Sequence, residues 1–256
     1  MKIKNIILIS FLILLSVSYS SCRKLVMQDG NHHVMTETRQ LVPFTKVINE
    51  GEFNVIIVED SITEAIVEAE SNLIPYIRTI VNGNTLIIDT RENINSNLPI
   101  NIYIKTPEVN SIKLSGSGTI TADSLVGDNV EIAISGSGNI NASVNAGLVD
   151  ILTSGSGDMW LNVVSQFTYA KISGSGNINV DGNTKDGDFN ISGSGNIHSY
   201  DFVQNNSDAN ISGSGSMYVN VIDYLKVKIS GSGSVYYLGN PSLDISITGS
   251  GSVIHQ

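Results

Sequence analysis

The chain has 256 residues, 14 Lys and Arg against 24 Asp and Glu, and a 41% hydrophobic content. That much apolar material excludes wholesale disorder, and a formal charge of −10 excludes nucleic acid as a partner, because a polyanion repels an acidic surface. Sixteen of the 24 glycines fall in eight copies of one tetrapeptide, so the glycine excess marks a repeat architecture and not a flexible linker.

Residues 1–21 carry Lys2 and Lys4, an apolar run from Ile6 to Leu15, and the small-residue stretch from Ser16 to Ser21. This is the three-part layout of a secretory signal, and the apolar run is shorter than the roughly 20 residues of a membrane span. Cys22 follows at once and is the sole cysteine, so an intrachain disulfide is excluded. Its position resembles the bacterial lipoprotein box, although Tyr19 stands where Leu is usual. The expectation is a lipidated Cys22 that tethers the chain to the cell envelope, most simply at the outer membrane, with plain secretion after cleavage near Ser21 as the alternative. Arg23 and Lys24 follow where a surface-export signal would be acidic, which favours the periplasmic face. Loss of residues 1–21 removes two lysines and no acid, which moves the charge from −10 to −12. Residues 22–41, with His32 and His33, read as a polar tether.

Residues 42–113 are strand-rich, with expected strands at Phe53–Val58, Ala65–Ala69, Thr85–Asp89 and Ile100–Lys105. Asn82-Gly83 predicts a tight hairpin. Asn72–Ile77 predicts a short helix that Pro75 limits to about one turn. The segment reads as a cap that also supplies the first irregular rungs of a coil of strands.

Residues 114–256 hold the repeat. Ser-Gly-Ser-Gly starts at Ser115, Ser135, Ser154, Ser173, Ser192, Ser212 and Ser230, and Thr248 opens an eighth copy. The spacings are 20, 19, 19, 19, 20, 18 and 18 residues. Apolar residues alternate on both sides of each copy, as in Val130, Ile132 and Ile134 before it and Ile140 and Ala142 after it; period two means strands. Keeping phase through the motif turns the glycines inward: Gly116 and Gly118, Gly136 and Gly138, Gly155 and Gly157, Gly174 and Gly176, Gly193 and Gly195, Gly213 and Gly215, Gly231 and Gly233, Gly249 and Gly251. The serines then face out. Two inward positions without side chains let the opposite wall come close or the chain bend sharply. Polar turns such as Asn145-Ala-Gly147 and Asp181-Gly-Asn183 close each rung into two strands and two bends. The expected fold class is all-β, a right-handed parallel β-helix of 18–20 residues per rung. Stacked at a strand spacing, its eight motif rungs extend over roughly 35 Å. Outward columns such as Asn139, Asn177 and Asn196 can hydrogen-bond from rung to rung.

Ser71-Asn-Leu-Ile-Pro-Tyr-Ile77, Asn82-Gly-Asn-Thr-Leu-Ile-Ile88, Ile112-Lys-Leu-Ser-Gly-Ser-Gly118 and the Ser-Gly-Ser-Gly-Asn-Ile copies at 135, 173 and 192 together resemble the putative auto-transporter adhesin head GIN domain family. The resemblance spans Val42 to the C-terminus. It departs at Thr248 for Ser, and at Thr119, Asp158, Ser216, Ser234 and Ser252 for the Asn after the motif. It implies a right-handed β-helix on the cell envelope of Bacteroidetes-type lipoproteins, and it supplies no catalytic residue.

Enzymes built on parallel β-helices use clustered carboxylates. A hydrolase would need two or three on one face from adjacent rungs; Asp181, Asp186, Asp188 and Asp201 are the nearest candidates and read as turn residues. The Asp181–Asp188 stretch has Lys185 where a calcium loop needs an acid. His198, near Ser199 and Asp201, has the residue types of a triad without a spacing that establishes one. No catalytic residue, metal ligand or cofactor is therefore assigned. Trp160, Tyr218 and Tyr236 point outward by alternation and could stack on a sugar ring. The leading expectation is a non-enzymatic envelope lipoprotein presenting a β-helical surface to a glycan or protein ligand. The alternatives are a polysaccharide-degrading β-helix and a scaffold that self-associates through the solenoid end, where a strand edge is exposed.

Overall fold

A computed structural model describes residues 27–256; the signal-like stretch and Cys22 lie outside the described residues. The strands in chain order are β1 (Gln28–Asp29), β2 (Val34–Gln40), β3 (Lys46–Asn49), β4 (Asn54–Glu59), β5 (Glu64–Glu70), β6 (Ile77–Asn82), β7 (Thr85–Thr90), β8 (Ile94–Asn95), β9 (Asn101–Thr106) and β10 (Ser111–Leu114). Six long strands come next: β11 (Thr119–Ile134), β12 (Asn139–Thr153), β13 (Met159–Ile172), β14 (Ile178–Ile191), β15 (Ile197–Ile211) and β16 (Met217–Ile229). Three short strands end the stack: β17 (Val235–Leu238) and β18 (Ser242–Ile247) lie on β16, and β19 (Val253–His255) lies on β17. Each long strand pairs in parallel with the next, so that Ile140, Met159, Ile178 and Ile197 stand above one another. The result is a parallel β-solenoid of about eight turns.

The rungs differ in one respect from the sequence reading. The polar turns do not divide a rung into two strands. Pairing runs through them and skips a single position at Asp128, Gly147, Gln166, Lys185 and Asn205. A parallel ladder bonds rung to rung and not within a rung, so one residue can rotate out to make a corner while its neighbours stay paired.

At the opposite bend, the serines of the motif are exposed except for the half-buried Ser115, and the second glycine of each copy but the last is buried. The reason for glycine is close approach along the stack. A Cβ on Gly136 would lie 2.0 Å from the carbonyl oxygen of Gly116, and one on Gly138 would lie 2.0 Å from that of Gly118. The same Gly116 oxygen accepts the Ser137 N–H at 3.2 Å. Hydrogen bonds between rungs thus continue through the bend, and the space a side chain would need is taken by the acceptor. Of the two reasons the sequence suggested, the opposite wall or a sharp bend, the motif does lie at a bend, and the space belongs to the rung beneath and not to the opposite wall.

Ile112, Ile132 and Ile151 run up the interior in register, followed by Ala170, Phe189 and Ala209. Phe189 is fully buried and stacks at 6.4 Å on Phe202, with alanine above and below it to make room. Each such aliphatic side chain contributes about 1.5–3 kcal/mol on burial. Beside this apolar file lies a short buried polar one: the Ser165 hydroxyl bonds to Thr168 at 2.7 Å and to Thr184 at 2.8 Å.

The N-terminal segment continues the stack. β10 pairs with β3 and β3 with β7, while β11 pairs with β4 and β4 with β9. The first Ser-Gly-Ser-Gly sits on Asn49–Phe53: Ser115 N–H donates to Asn49 O, and a Cβ on Gly116 would meet Gly51 O at 2.1 Å. Residues 49–53 are therefore a bend of the same kind with one glycine, and the buried Asn49 side chain closes it by accepting from Gly51 N–H and donating to Phe53 O. Asn82-Gly83 forms the β6–β7 hairpin with Gly83 at φ 61°, and Ile74–Tyr76 is a single 3₁₀ turn with Pro75 in its first positions.

The tether reading is corrected from Gln28 onward. β1 pairs with β8, and β2 lies antiparallel on β5 through all seven of its residues. Arg39 anchors it by donating to Ile77 O at 2.8 Å and Ile74 O at 3.1 Å. The strand is almost wholly exposed on its side chains, so its sequence carries no apolar alternation; the main chain and one arginine hold it.

Candidate binding surface

Register places the outward residues after each bend in one column: Thr121, Asn141, Trp160, Asn179, His198, Tyr218 and Tyr236. Trp160, Tyr218 and Tyr236 are thus brought to one wall, and the column adds His198, whose ring stacks on Tyr218 at 4.7 Å. Tyr218 stacks in turn on Tyr236 at 5.0 Å with 8° between the rings, and Tyr200 meets Tyr218 edge-on at 5.5 Å. Burial, and then the neighbouring Tyr218 and Tyr236, raise the pKa of the Tyr200 phenol. Strand alternation could find the single tyrosines; the stack needed the register, because residues 18–20 apart had to be aligned across bulges.

The stack changes what these rings can do. Tyr218 has a ring against each face, so it offers an edge and a hydroxyl and no open π face. Trp160 differs. Its column neighbours are Asn141 and Asn179, and it is 45% exposed. Thr121, Asp123, Ser143, Asn162 and Asp181 complete a shallow depression of about 280 Å³ around it. An exposed indole ringed by amides, hydroxyls and two carboxylates combines an apolar contact with hydrogen-bonding groups of both polarities.

The other candidates are dispersed. Asp181 is in the Trp160 depression, whereas Asp186 and Asp188 lie beyond the corner in two further columns, where Asp186 accepts from Asn206 and Asp188 from Asn190, both at 2.8 Å. Asp201 is in the irregular stretch between Ser199 and Val203. Ser199 is buried and donates to Tyr218 O at 2.7 Å, while His198 beside it is exposed; alternation puts the two on opposite faces of the strand. His32 N–H donates to Glu70 at 2.6 Å and His33 N–H to Asn31 at 3.1 Å. Among the described residues no group of three or more His, Cys, Asp or Glu is placed to hold a metal ion. On the wall beyond the corner, Glu131, Asp150, Tyr169, Asp188 and Asp208 are in register. Burial, then Glu131, raises the Asp150 carboxyl, and burial, then Asp188 and Asp150, raises the Tyr169 phenol.

The Asn column is a working ladder that extends past the asparagines. The side-chain oxygen of Asp158 accepts the N–H of Asn177 at 2.7 Å, Asn177 accepts that of Asn196 at 3.0 Å, and Asn196 accepts that of Ser216 at 2.8 Å. Ser216 and Ser234 continue it to Ser234 and Ser252 at 3.4 and 3.3 Å. The departures from Asn at 158, 216 and 234 all keep an acceptor oxygen at the required place.

A family profile described as "Putative auto-transporter adhesin, head GIN domain" matches residues 43–166 and 147–241. The chain belongs to that family. Among solved structures, a putative lipid binding protein from Parabacteroides distasonis is 25% identical, with a TM-score of 0.84, over 90% of this chain and 100% of its own. A putative adhesin from Parabacteroides merdae is 23% identical, with a TM-score of 0.85, over 89% of this chain and 98% of its own. No curated protein matches. Membership of the family supports an adhesin-like binding module, of a kind suited to the cell envelope, and the solved structures share its fold. Among the described residues no helix is long and apolar enough to cross a membrane.

Proposed function

We propose that this GIN-domain protein is a non-enzymatic binding module of the cell envelope, anchored to the outer membrane by lipid on Cys22, whose Trp160 wall docks a glycan. The observation that carries the reading is the open indole of Trp160 set among Asn141, Asn162, Asn179 and Asp181. The C–H face of a pyranose meets the negative face of the ring, while its hydroxyls exchange hydrogen bonds with the amides and carboxylates. The mature charge of −12 favours a neutral or amino sugar over an anionic polymer.

Trp160 is the only tryptophan of the chain, so its fluorescence reports on this wall alone. Titration with a panel of neutral, amino and acidic oligosaccharides is expected to shift that emission for a member of the first two classes. Trp160→Ala is expected to weaken binding, read by calorimetry, at least tenfold, and Tyr218→Ala to leave it within twofold. Equal affinity of wild type and Trp160→Ala would overturn the assignment. Cys22→Ser, followed by membrane fractionation, tests the anchor: release into the soluble fraction is expected. Protease shaving of intact cells distinguishes the two faces of the membrane.

A further inference from the structure

The rung of β18 and β19 is paired with the rung before it and, among the described residues, with nothing on its other side. Leu243, Ile245 and Ile247 continue the interior columns of Leu225, Val227 and Ile229. They are nevertheless 43%, 43% and 40% exposed, against 0–1% for the residues beneath them. At the opposite end the core is closed, with Leu73, Leu86 and Ile88 at 0%. Strand edges are open there too, on β2 and β6, but among the described residues the C-terminal end is the one where an open edge lies over an uncovered stripe of the core, the combination that takes up another strand.

We propose that this end is the interface with a second copy of the chain, joined tail to tail about a two-fold axis through Ile245. Head-to-tail stacking would lay the stripe on an N-terminal end whose core is already covered, so self-association through the stripe is isologous and stops at two. A two-fold axis sets β18 antiparallel to its counterpart. Directly opposed residues of an antiparallel pair share a face, so the axis position decides the partners. With the axis at Asp244, that carboxylate faces its own copy. An axis at Leu243 opposes Ile245 to Pro241, and one at Ser246 opposes Leu243 to Gly249. With the axis at Ile245, Leu243 faces Ile247, Ile245 faces Ile245, and Asp244 faces Ser246; every apolar residue of the stripe is covered and no like charges meet.

Charge agrees with that register. Ser246 stacks on Lys228, as Asp244 does on Lys226, so the partner's Asp244 comes to lie two strand spacings above Lys228, about 9.6 Å between main chains and within reach of a lysine stem. Neither lysine is in a salt bridge among the described residues. Within residues 239–256 the only acid is Asp244, so the end face of this acidic chain is the part that a second copy approaches with least repulsion.

The test uses the mature chain with Cys22→Ser, which leaves it free of lipid and of thiols. Sedimentation velocity is expected to show a dimer in concentration-dependent exchange with monomer, and Ile245→Lys a monomer with its circular dichroism retained. Cysteine pairs read the register: under mild oxidation Ile245→Cys is expected to cross-link to itself, a mixture of Asp244→Cys and Ser246→Cys to cross-link to each other, and Asp244→Cys alone to stay uncross-linked. Monomer at every concentration overturns the proposal, whatever else binds the end. So does a dimer that survives Ile245→Lys, or one in which Asp244→Cys cross-links to itself.

Discussion

A Cβ on Gly174 would lie 2.0 Å from the carbonyl oxygen of Gly155, one rung below, and that oxygen also accepts the N–H of Ser175 at 3.0 Å. Relief would require two rungs to part at the bend. Gly174→Ala is therefore expected to cost about 3 kcal/mol or more, at the upper end of overpacking, whereas the exposed neighbour Ser175→Ala stays within about 0.5 kcal/mol. Chemical denaturation of both variants checks the contrast. Equal stability of Gly174→Ala and wild type would show that the rungs are not held at this distance.

The polar ladder makes a chemical distinction between substitutions. Asn177→Leu removes the acceptor of the part-buried Asn196 N–H and is expected to cost about 0.5–1.5 kcal/mol, the net worth of a hydrogen bond. Asn177→Ser is expected to cost less, because Ser216 supplies the acceptor at the equivalent place further up the ladder. Amide exchange at Asn196 should accelerate more in the leucine variant than in the serine one.

Glu70 ties the N-terminal strands together. Its carboxylate accepts from the N–H of His32 at 2.6 Å, the N–H of Asn97 at 2.8 Å and the hydroxyl of Ser96 at 2.9 Å. Burial alone would raise its pKa, but the hydrogen bonds from His32, Asn97 and Ser96 outweigh it and lower the value from 4.5 to about 2. A carboxyl with a lowered folded pKa stabilises the fold above its unfolded value, and that contribution is lost as pH falls through the folded one. The cap should accordingly weaken between pH 4.5 and about 2. Glu70→Gln should be less stable than wild type at neutral pH, with the gap closing over the same window, as followed by thermal melts in a pH series.

Gln204 is wholly buried and neither amide atom has a protein partner, in the same part of the interior as the unpaired hydroxyl of Ser207. Removing an unpaired polar group while keeping its volume is favourable. Gln204→Met is expected to raise stability by about 1–2 kcal/mol in denaturant titrations. A loss of stability would show that the amide is satisfied in solution, for which bound water is the available agent.

The repeat was legible because it is periodic twice over, in alternating apolar residues and in glycine at intervals of 18–20. The bend at Asn49–Phe53 was not, since a single glycine and a phenylalanine replace the motif and only the hydrogen bonds from Ser115 and Thr119 reveal it. β2 was missed for a related reason: a strand held by its main chain and by Arg39 leaves no apolar signature. On the binding wall, alternation found Trp160, Tyr218 and Tyr236 as outward residues. It could not separate an indole with open surroundings from a tyrosine covered on both faces, because that difference depends on the neighbours above and below and on the bulges that shift them.

With one position skipped at each corner, Asp128, Gly147, Gln166, Lys185 and Asn205, the main-chain ladder of each long rung runs to the rungs on either side. Nothing in such a stack fixes the number of rungs. Duplication or loss of one unit of about 19 residues would change the rod by about 4.8 Å and keep the kinds of contact within it unaltered. The molecule is in this sense a ruler: its height can be reset by unequal recombination, in steps of one strand spacing, without redesign of either end.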